Sequence, residues 1–380
     1  MIWPIAPTAG AASGAVRVPC GKAADRQLEP DLLGQPLRCT PGHNSAVSLN
    51  FRRERVEAEI LVPAGPGYER RQTGYEMRWD PLTGQACKLL PESNLLPRSQ
   101  FDLEAFGEPS RSWCPFCAER VEKVTPRFAA TISADGPFRR GEALCFPNLA
   151  GYARHASVSI YGPERHFLPV EQMTQRLIAD NLHTQVEFCR AATRADGKAP
   201  WVSISANHML PSGSSLFHPH AQGAVDPFPT TQQAISAGVP AEMVRAYLAA
   251  ERSAGERHIT GSGEVDWLAA FAPVGFHDVR AFLPRFQSPE QLPAEVVEEL
   301  AQGLAAALRL YAELGSGSFN WALLGAPHPA HVLNFRLVAR AGLQETYRSD
   351  VTYFERLHGT ALVDLAPEVL AERAKLVFHA

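Results

Sequence analysis

Phe217-His218-Pro219-His220-Ala221-Gln222 is the stretch on which the reading of this chain turns. In an extended strand, alternation puts His218, His220 and Gln222 on one face. Such a row offers one imidazole as a metal ligand or phosphate contact and another as a nucleophile, because a neutral imidazole can attack phosphorus. H-x-H by itself also fits a surface loop; His-Pro-His-x-Gln is a rarer pattern. Upstream, Ser203-Ile204-Ser205-Ala206-Asn207 reads as a strand. It is followed by Met209-Leu210-Pro211-Ser212-Gly213-Ser214-Ser215, whose small residues suit a loop that brings backbone N–H groups to phosphate oxygens.

Three further segments add to this. Arg78-Trp79-Asp80-Pro81-Leu82-Thr83-Gly84 is followed about thirty residues later by Cys114-Pro115-Phe116-Cys117. Val158-Ser159-Ile160-Tyr161-Gly162-Pro163-Glu164-Arg165-His166 reads as a strand ending in a histidine. Together with Asn207, Gly213, Ser215 and His218-Pro219-His220-x-Gln222 at their spacings, these segments resemble galactose-1-phosphate uridylyltransferases and their relatives in the histidine-triad superfamily. The resemblance spans residues 75 to 375. It implies a structural Zn²⁺ held by Cys114, Cys117, His166 and His218, a chemically sensible closed tetrahedral set. His155 competes with His166 for the third place, and both cysteines also fit a reading as small buried thiols.

The resemblance also implies a mechanism. His220 would attack the α-phosphorus of a nucleoside-diphosphate sugar and carry the nucleotidyl group, with Gln222 and Ser215 donating to phosphoryl oxygens. Asn148, Asn207, Gly213, Ser215 and Gln222 would bind substrate. A sugar phosphate as acceptor makes the protein a transferase, inorganic phosphate a phosphorylase, and water a hydrolase. Glutamine at 222 cannot relay a proton to water, which favours transfer or phosphorolysis. A histidine-triad nucleotide hydrolase and a nucleotide-binding protein without turnover remain the alternatives. The family's arginine-rich segment is reduced here to Arg98. Its ribose-binding segment keeps Asn148 but lacks the aspartate, and its hexose motif has become Val351-Thr352-Tyr353-Phe354, with Glu355 displaced by one. These departures predict weak transfer to galactose 1-phosphate and a different acceptor, with inorganic phosphate the first choice.

The chain has 380 residues, 45% hydrophobic and 20% charged, enough to bury a full core. A net charge of −4 gives no overall attraction to nucleic acid. Seven cysteines, an odd number, argue for a reducing compartment over a disulfide framework. No apolar run reaches membrane-spanning length, and Met1-Ile2-Trp3-Pro4 lacks the features of a signal peptide, so a cytoplasmic location is expected.

The organisation expected is an irregular arm over 1–50, a catalytic unit over 51–230 and a degenerate unit over 231–380. The fold class is α+β: duplicated histidine-triad-like units sharing an antiparallel sheet flanked by helices, in a homodimer. In the first unit, Ala156–Tyr161, Trp201–Ser205 and His218–Gln222 read as strands. Between them Val170, Met173, Leu177, Leu182, Val186 and Cys189 form a helical stripe. The second unit repeats the order, with strands at 267–271, 279–283, 319–324 and 331–338. Its helix is expected to start at Ser288-Pro289, with Ser288 capping. Asn334 and Arg336 stand where many relatives carry H-x-H ligands of a second metal, so that metal site is expected to be missing. His328 and His331 read as isolated surface or loop residues.

Overall fold

The computed structural model describes residues 49–91, 93, 95, 102–261, 263–344 and 349–379. The N-terminal arm, apart from its last two residues, and Arg98 lie outside the described residues. The chain first lays down β1 (Arg53–Ala64), β2 (Gly67–Trp79) and β3 (Ala86–Leu89). A second, ten-stranded sheet follows, made of β4 (Phe138–Arg140), β5 (Ala143–Pro147), β6 (His155–Ile160), β7 (Trp201–His208), β8 (His220–Asp226), β9 (His258–Thr260), β10 (Asp266–Ala269), β11 (Phe276–Leu283), β12 (Ser318–Leu324) and β13 (Leu333–Arg340). Finally β14 (Ala361–Val363) returns to pair in parallel with β3, completing a four-stranded sheet.

Every pair in the large sheet is antiparallel, in the order β4-β5-β6-β8-β7-β12-β13-β11-β10-β9. The β7–β12 pair stands at its centre, and the order of connections reads the same outward in both directions. Mixed α+β architecture with antiparallel sheets and flanking helices is therefore observed. Eight helices are described: α1 (Leu103–Gly107), α2 (Ala118–Val124), α3 (Gln175–Ala195), α4 (Thr231–Ala237), α5 (Ala241–Ala254), α6 (Ala294–Glu313), α7 (Tyr353–Leu357) and α8 (Pro367–Phe378). None is long and apolar enough to cross a membrane.

Strand alternation decides which face each residue serves. On β7, Val202, Ile204 and Ala206 are buried in the core with the apolar faces of α3 and α6, leaving Ser203, Ser205 and Asn207 on the other face. Ile178, Leu182 and Val186 of α3 and Leu300, Leu304 and Leu308 of α6 fill that core. Each such side chain contributes roughly 1.5–3 kcal/mol by leaving water. Close approach of α3 to β8 requires glycine at 223, where a Cβ would fall within 3.0 Å of Gln185 Oε1, Ser157 Oγ and Phe188 Cδ1.

Several boundaries differ from the sequence reading. Helix α3 begins at Gln175 behind a Thr174 cap, so the buried Val170 and Met173 belong to a 3₁₀ turn and connector before it. Ser288 does not cap a long helix. Its hydroxyl bonds Glu290 in a 3₁₀ turn over Pro289–Gln291, and α6 starts at Ala294 after Pro293, since Pro293 fixes the chain direction there. Strand β8 starts at His220, so His218 precedes the ladder. His331 lies in the loop before β13, as one half of its surface-or-loop reading has it, but it is buried there, with Nε2–H donating to Leu324 O at 3.1 Å. His328 is exposed.

The Arg78–Gly84 segment acts as a junction. Arg78 pairs with Glu368 of α8 at 2.9 Å and Asp80 with Arg280 of β11 at 2.9 Å. Asp80 Oδ1 also accepts from the N–H groups of Leu82 and Thr83 at 2.9 Å each, which fixes the turn. Glu355 is part of a capping box with Thr352 at the start of α7.

Candidate active site and metal centre

Four buried side chains, Cys114, Cys117, His166 and His218, bring their ligand atoms within 4.8 Å of one another. Cys117 Sγ lies 3.3 Å from His166 Nδ1 and 3.7 Å from His218 Nδ1, and Cys114 Sγ lies 3.6 Å from His218 Nδ1. Tetrahedral Zn²⁺, with Zn–S of about 2.3 Å and Zn–N of about 2.05 Å, requires S···N separations of about 3.6 Å. The cluster therefore has the dimensions of a closed metal site.

The outer partners set the tautomers. His218 Nε2–H donates to Gly162 O at 3.0 Å; a carbonyl has no proton to give, so the ring nitrogen must carry it. His166 Nε2–H faces Ser110 Oγ at 2.9 Å and Gly107 O at 3.3 Å, while Ser110 Oγ itself donates to Gly107 O. Both Nδ1 lone pairs are thus turned inward, the usual support for a metal-bound histidine. Without a cation, burial and the adjacent Cys114 push the Cys117 thiol up to about 12. Burial also pushes His218 down to about 3, keeping it a neutral ligand. His155, the alternative ligand, instead meets Asp196 at 3.1 Å.

Phe116, between the two cysteines, ties the cluster to the start of β8. Its ring lies 5.8 Å from that of His218 and 5.4 Å from that of His220. His220 Nδ1–H donates to His218 O at 2.9 Å, which leaves the Nε2 lone pair free. Burial lowers the pKa of this imidazole and favours the neutral, nucleophilic form. Gln222 follows on the same face, and its Oε1 accepts from Asn148 Nδ2 at 3.4 Å. Its own amide N–H groups are then available to an oxygen beside His220. Asn148 is fixed in turn by accepting from Ala150 N–H at 3.0 Å.

The loop after β7 carries the one strained non-glycine residue next to this site. Met209 has φ of 69° and is buried, and Gly213 has φ of 92°. Asn207 does not reach out from this loop alone, for its Oδ1 accepts from Asn320 Nδ2 at 2.6 Å. Asn320 also donates to Ser212 O at 2.9 Å and accepts from Arg340 Nη1 at 2.6 Å. Arg340 is held by Asp350, with Nε–Oδ1 of 2.8 Å. Gly213 and Ser215 are exposed, and the Ser215 hydroxyl has no partner among the described residues. The structure therefore puts His220 and Gln222 on one face of β8, with Asn148 bonded to Gln222, and leaves Ser215 exposed on the loop.

Asn320 and Arg340 were invisible to motif reading. Their only sequence signal is polar residues at the face-out positions of β12 and β13, and their relation to Asn207 follows from the β7–β12 register, which pairs Asn320 with Asn207.

No family model matches the sequence. The fold is similar to that of solved nucleotidyl-transferring and phosphorylase structures. Solved structures with this fold include an ADP-glucose phosphorylase from Arabidopsis thaliana with bound ADP-glucose, at TM-score 0.59 and 16% identity, covering 79% of this chain and 98% of that one. A uridylyltransferase matches at TM-score 0.51 and 18% identity, over 80% of this chain and 98% of that one. In sequence, the chain belongs to one family with an uncharacterised protein of Archaeoglobus fulgidus, 30% identical over 339 residues, or 87% of this chain and 99% of that protein.

Proposed function

We propose that the protein is a nucleotidyltransferase that takes a nucleoside-diphosphate sugar as donor and works through a covalent nucleotidyl-histidine at His220. The observation that carries this reading is the hydrogen bond from His220 Nδ1–H to His218 O, which leaves Nε2 unprotonated beside the free amide of Gln222.

In the first displacement the Nε2 lone pair forms a bond to the α-phosphorus, and the bond to the bridging oxygen of the sugar-phosphate leaving group breaks. Positive charge growing on the ring is stabilised by the His218 carbonyl, while Gln222 donates to a non-bridging oxygen. In the second displacement an acceptor phosphate oxygen attacks phosphorus, the P–N bond breaks and neutral His220 is restored. We propose inorganic phosphate over galactose 1-phosphate as the acceptor. The bound ADP-glucose of the Arabidopsis phosphorylase supports the donor class. The cysteines and histidines of the cluster fit Zn²⁺, which when bound would supply a closed structural anchor for the segment leading into His220.

Incubation with ADP- or UDP-sugar labelled in the α-phosphate, followed by an alkaline quench, tests the reading. Wild-type protein should retain acid-labile label, and the His220→Asn variant none. Label surviving His220→Asn rejects the nucleophile; unlabelled wild type that accumulates nucleoside monophosphate points to the hydrolase.

A further inference from the structure

One cross-strand row runs from the reaction strand into the second half of the sheet. Gln222 pairs with Ser205, Ser205 with Ala322, Ala322 with Arg336, and Arg336 with Arg280. Directly paired residues of antiparallel strands share a face, so all five project from the face that carries His220. Three strand spacings separate Gln222 from Arg336, about 14 Å at about 4.8 Å each. Between them the floor is made of two small side chains, Ser205 and Ala322.

At the far end of this trough lies a cavity of about 570 Å³. It is walled by apolar side chains that include Val239, Val244, Phe282 and Val332, and Ser205, Ala322, Arg280 and Arg336 also line it. Two guanidinium groups therefore stand side by side in a largely apolar pocket. Arg280 donates to Asp80 at 2.9 Å, yet its buried Nε has no partner. Arg336 approaches Asp278 only to 3.4 Å and Asp80 to 3.9 Å, and it donates no hydrogen bond among the described residues. Its side chain is 17% exposed. A guanidinium has five donors, and leaving them unmet at such burial is costly. Burial and the neighbouring Arg280 lower the pKa of Arg336, while burial raises that of Asp278.

We infer that this pocket receives the anionic far end of the donor, a carboxylate or phosphate on the sugar, gripped by Arg336 with Arg280 behind it. The inference rests on the proposed donor class and narrows it, from nucleoside-diphosphate sugars in general to those whose sugar carries a second negative group. Planar guanidinium donors match the two oxygens of such a group. The small floor at Ser205 and Ala322 lets the ligand lie across the strands from His220 to Arg336.

Calorimetric binding to the His220→Asn variant, which cannot turn over, provides the test. The probes are whichever of ADP-glucose or UDP-glucose binds more tightly, the same nucleotide carrying glucuronate, the nucleoside monophosphate and inorganic pyrophosphate. The glucuronate donor should bind at least about tenfold more tightly than the glucose donor, the size of one charge-assisted contact. Adding Arg336→Gln should erase that preference and weaken pyrophosphate about tenfold, with an unliganded thermal midpoint no lower than that of the parent. Adding Ala322→Leu instead should erase the preference by blocking the trough while leaving the monophosphate unaffected; this variant decides the matter if Arg336→Gln does not fold. Equal affinity for the two donors, or a preference that survives both substitutions, overturns the inference. Failure of the nucleotidyl-histidine reading shows separately, as absence of label on His220, and the pyrophosphate comparison does not depend on that label.

Discussion

Replacing Cys117 with serine removes one thiolate from a four-ligand cluster whose members are each no more than 1% exposed. Serine's hydroxyl is a poor zinc ligand at neutral pH, so the three remaining ligands would be left converging on a weakly held ion or on none. Structural zinc sites couple roughly 10–16 kcal/mol of apparent binding free energy to folding in small peptides. In a large fold with an independent core, loss of one ligand removes only part of this, and we take about 4 kcal/mol. For the roughly 300 residues described, an unfolding entropy of about 2.1 cal/mol/K per residue gives about 0.6 kcal/mol/K, so the midpoint should fall by about 6 °C. Elemental analysis of the dialysed proteins and scanning calorimetry are the assays. Wild type should carry close to one zinc per chain, and Cys117→Ser well below half of that. A chelator should lower the wild-type midpoint towards that of the variant, because both routes remove the same ion. Metal-free wild type, or a Cys117→Ser midpoint within about 1 °C of wild type, would refute the argument, since 1 °C corresponds to less than about 1 kcal/mol on this scale.

Gly223→Ala should destabilise the fold by about 1–3 kcal/mol, because the added methyl enters a contact already filled by Gln185, Ser157 and Phe188; urea denaturation midpoints measure it. Asn320→Leu should lower turnover at least tenfold and also lower the thermal midpoint by a few degrees, since it leaves Asn207 Oδ1 and Arg340 without their shared partner and frees the Ser212 carbonyl, at about 1–3 kcal/mol. A normal rate would show that the loop holds its shape unaided. The last case concerns Asp196, held down to about 2 first by the hydrogen bond from His155, then by the Lys198 N–H and Arg154. A depressed carboxylate contributes stability above its unfolded value of about 3.9 and loses it as the pH falls towards 2. Asp196→Asn should therefore lower the thermal midpoint at pH 6, with the difference from wild type closing between pH 4 and pH 2; a difference constant with pH would contradict this.

What could be read from the sequence was the part of the site written in short segments. Cys114 and Cys117 are three positions apart, and His220 and Gln222 share a face by simple alternation, so residue types and spacing carry their relation without knowledge of the fold. His166 and His218 needed the family resemblance, and the structure places both imidazoles against the two thiols. Helix interiors followed the apolar period, whereas helix starts did not: Ser288-Pro289 has the look of a cap, but Pro293 sets the real beginning of α6. Relations that depend on strand register were out of reach. Nothing local to Asn320 says that it sits opposite Asn207, because that follows from pairing β7 with a strand more than a hundred residues later. The same limit governs Asn334 and Arg336. Compared with a ligand pattern they read as a loss, since neither is a histidine. In the sheet, Asn334 donates to Ser236 Oγ at 2.7 Å, and Arg336 lies in register with Gln222 across two small residues. On the inference drawn above, a position that carries metal ligands in relatives would here hold a positive charge facing the same cavity, and a guanidinium with unmet donors would select for anions where an imidazole pair would select for a cation.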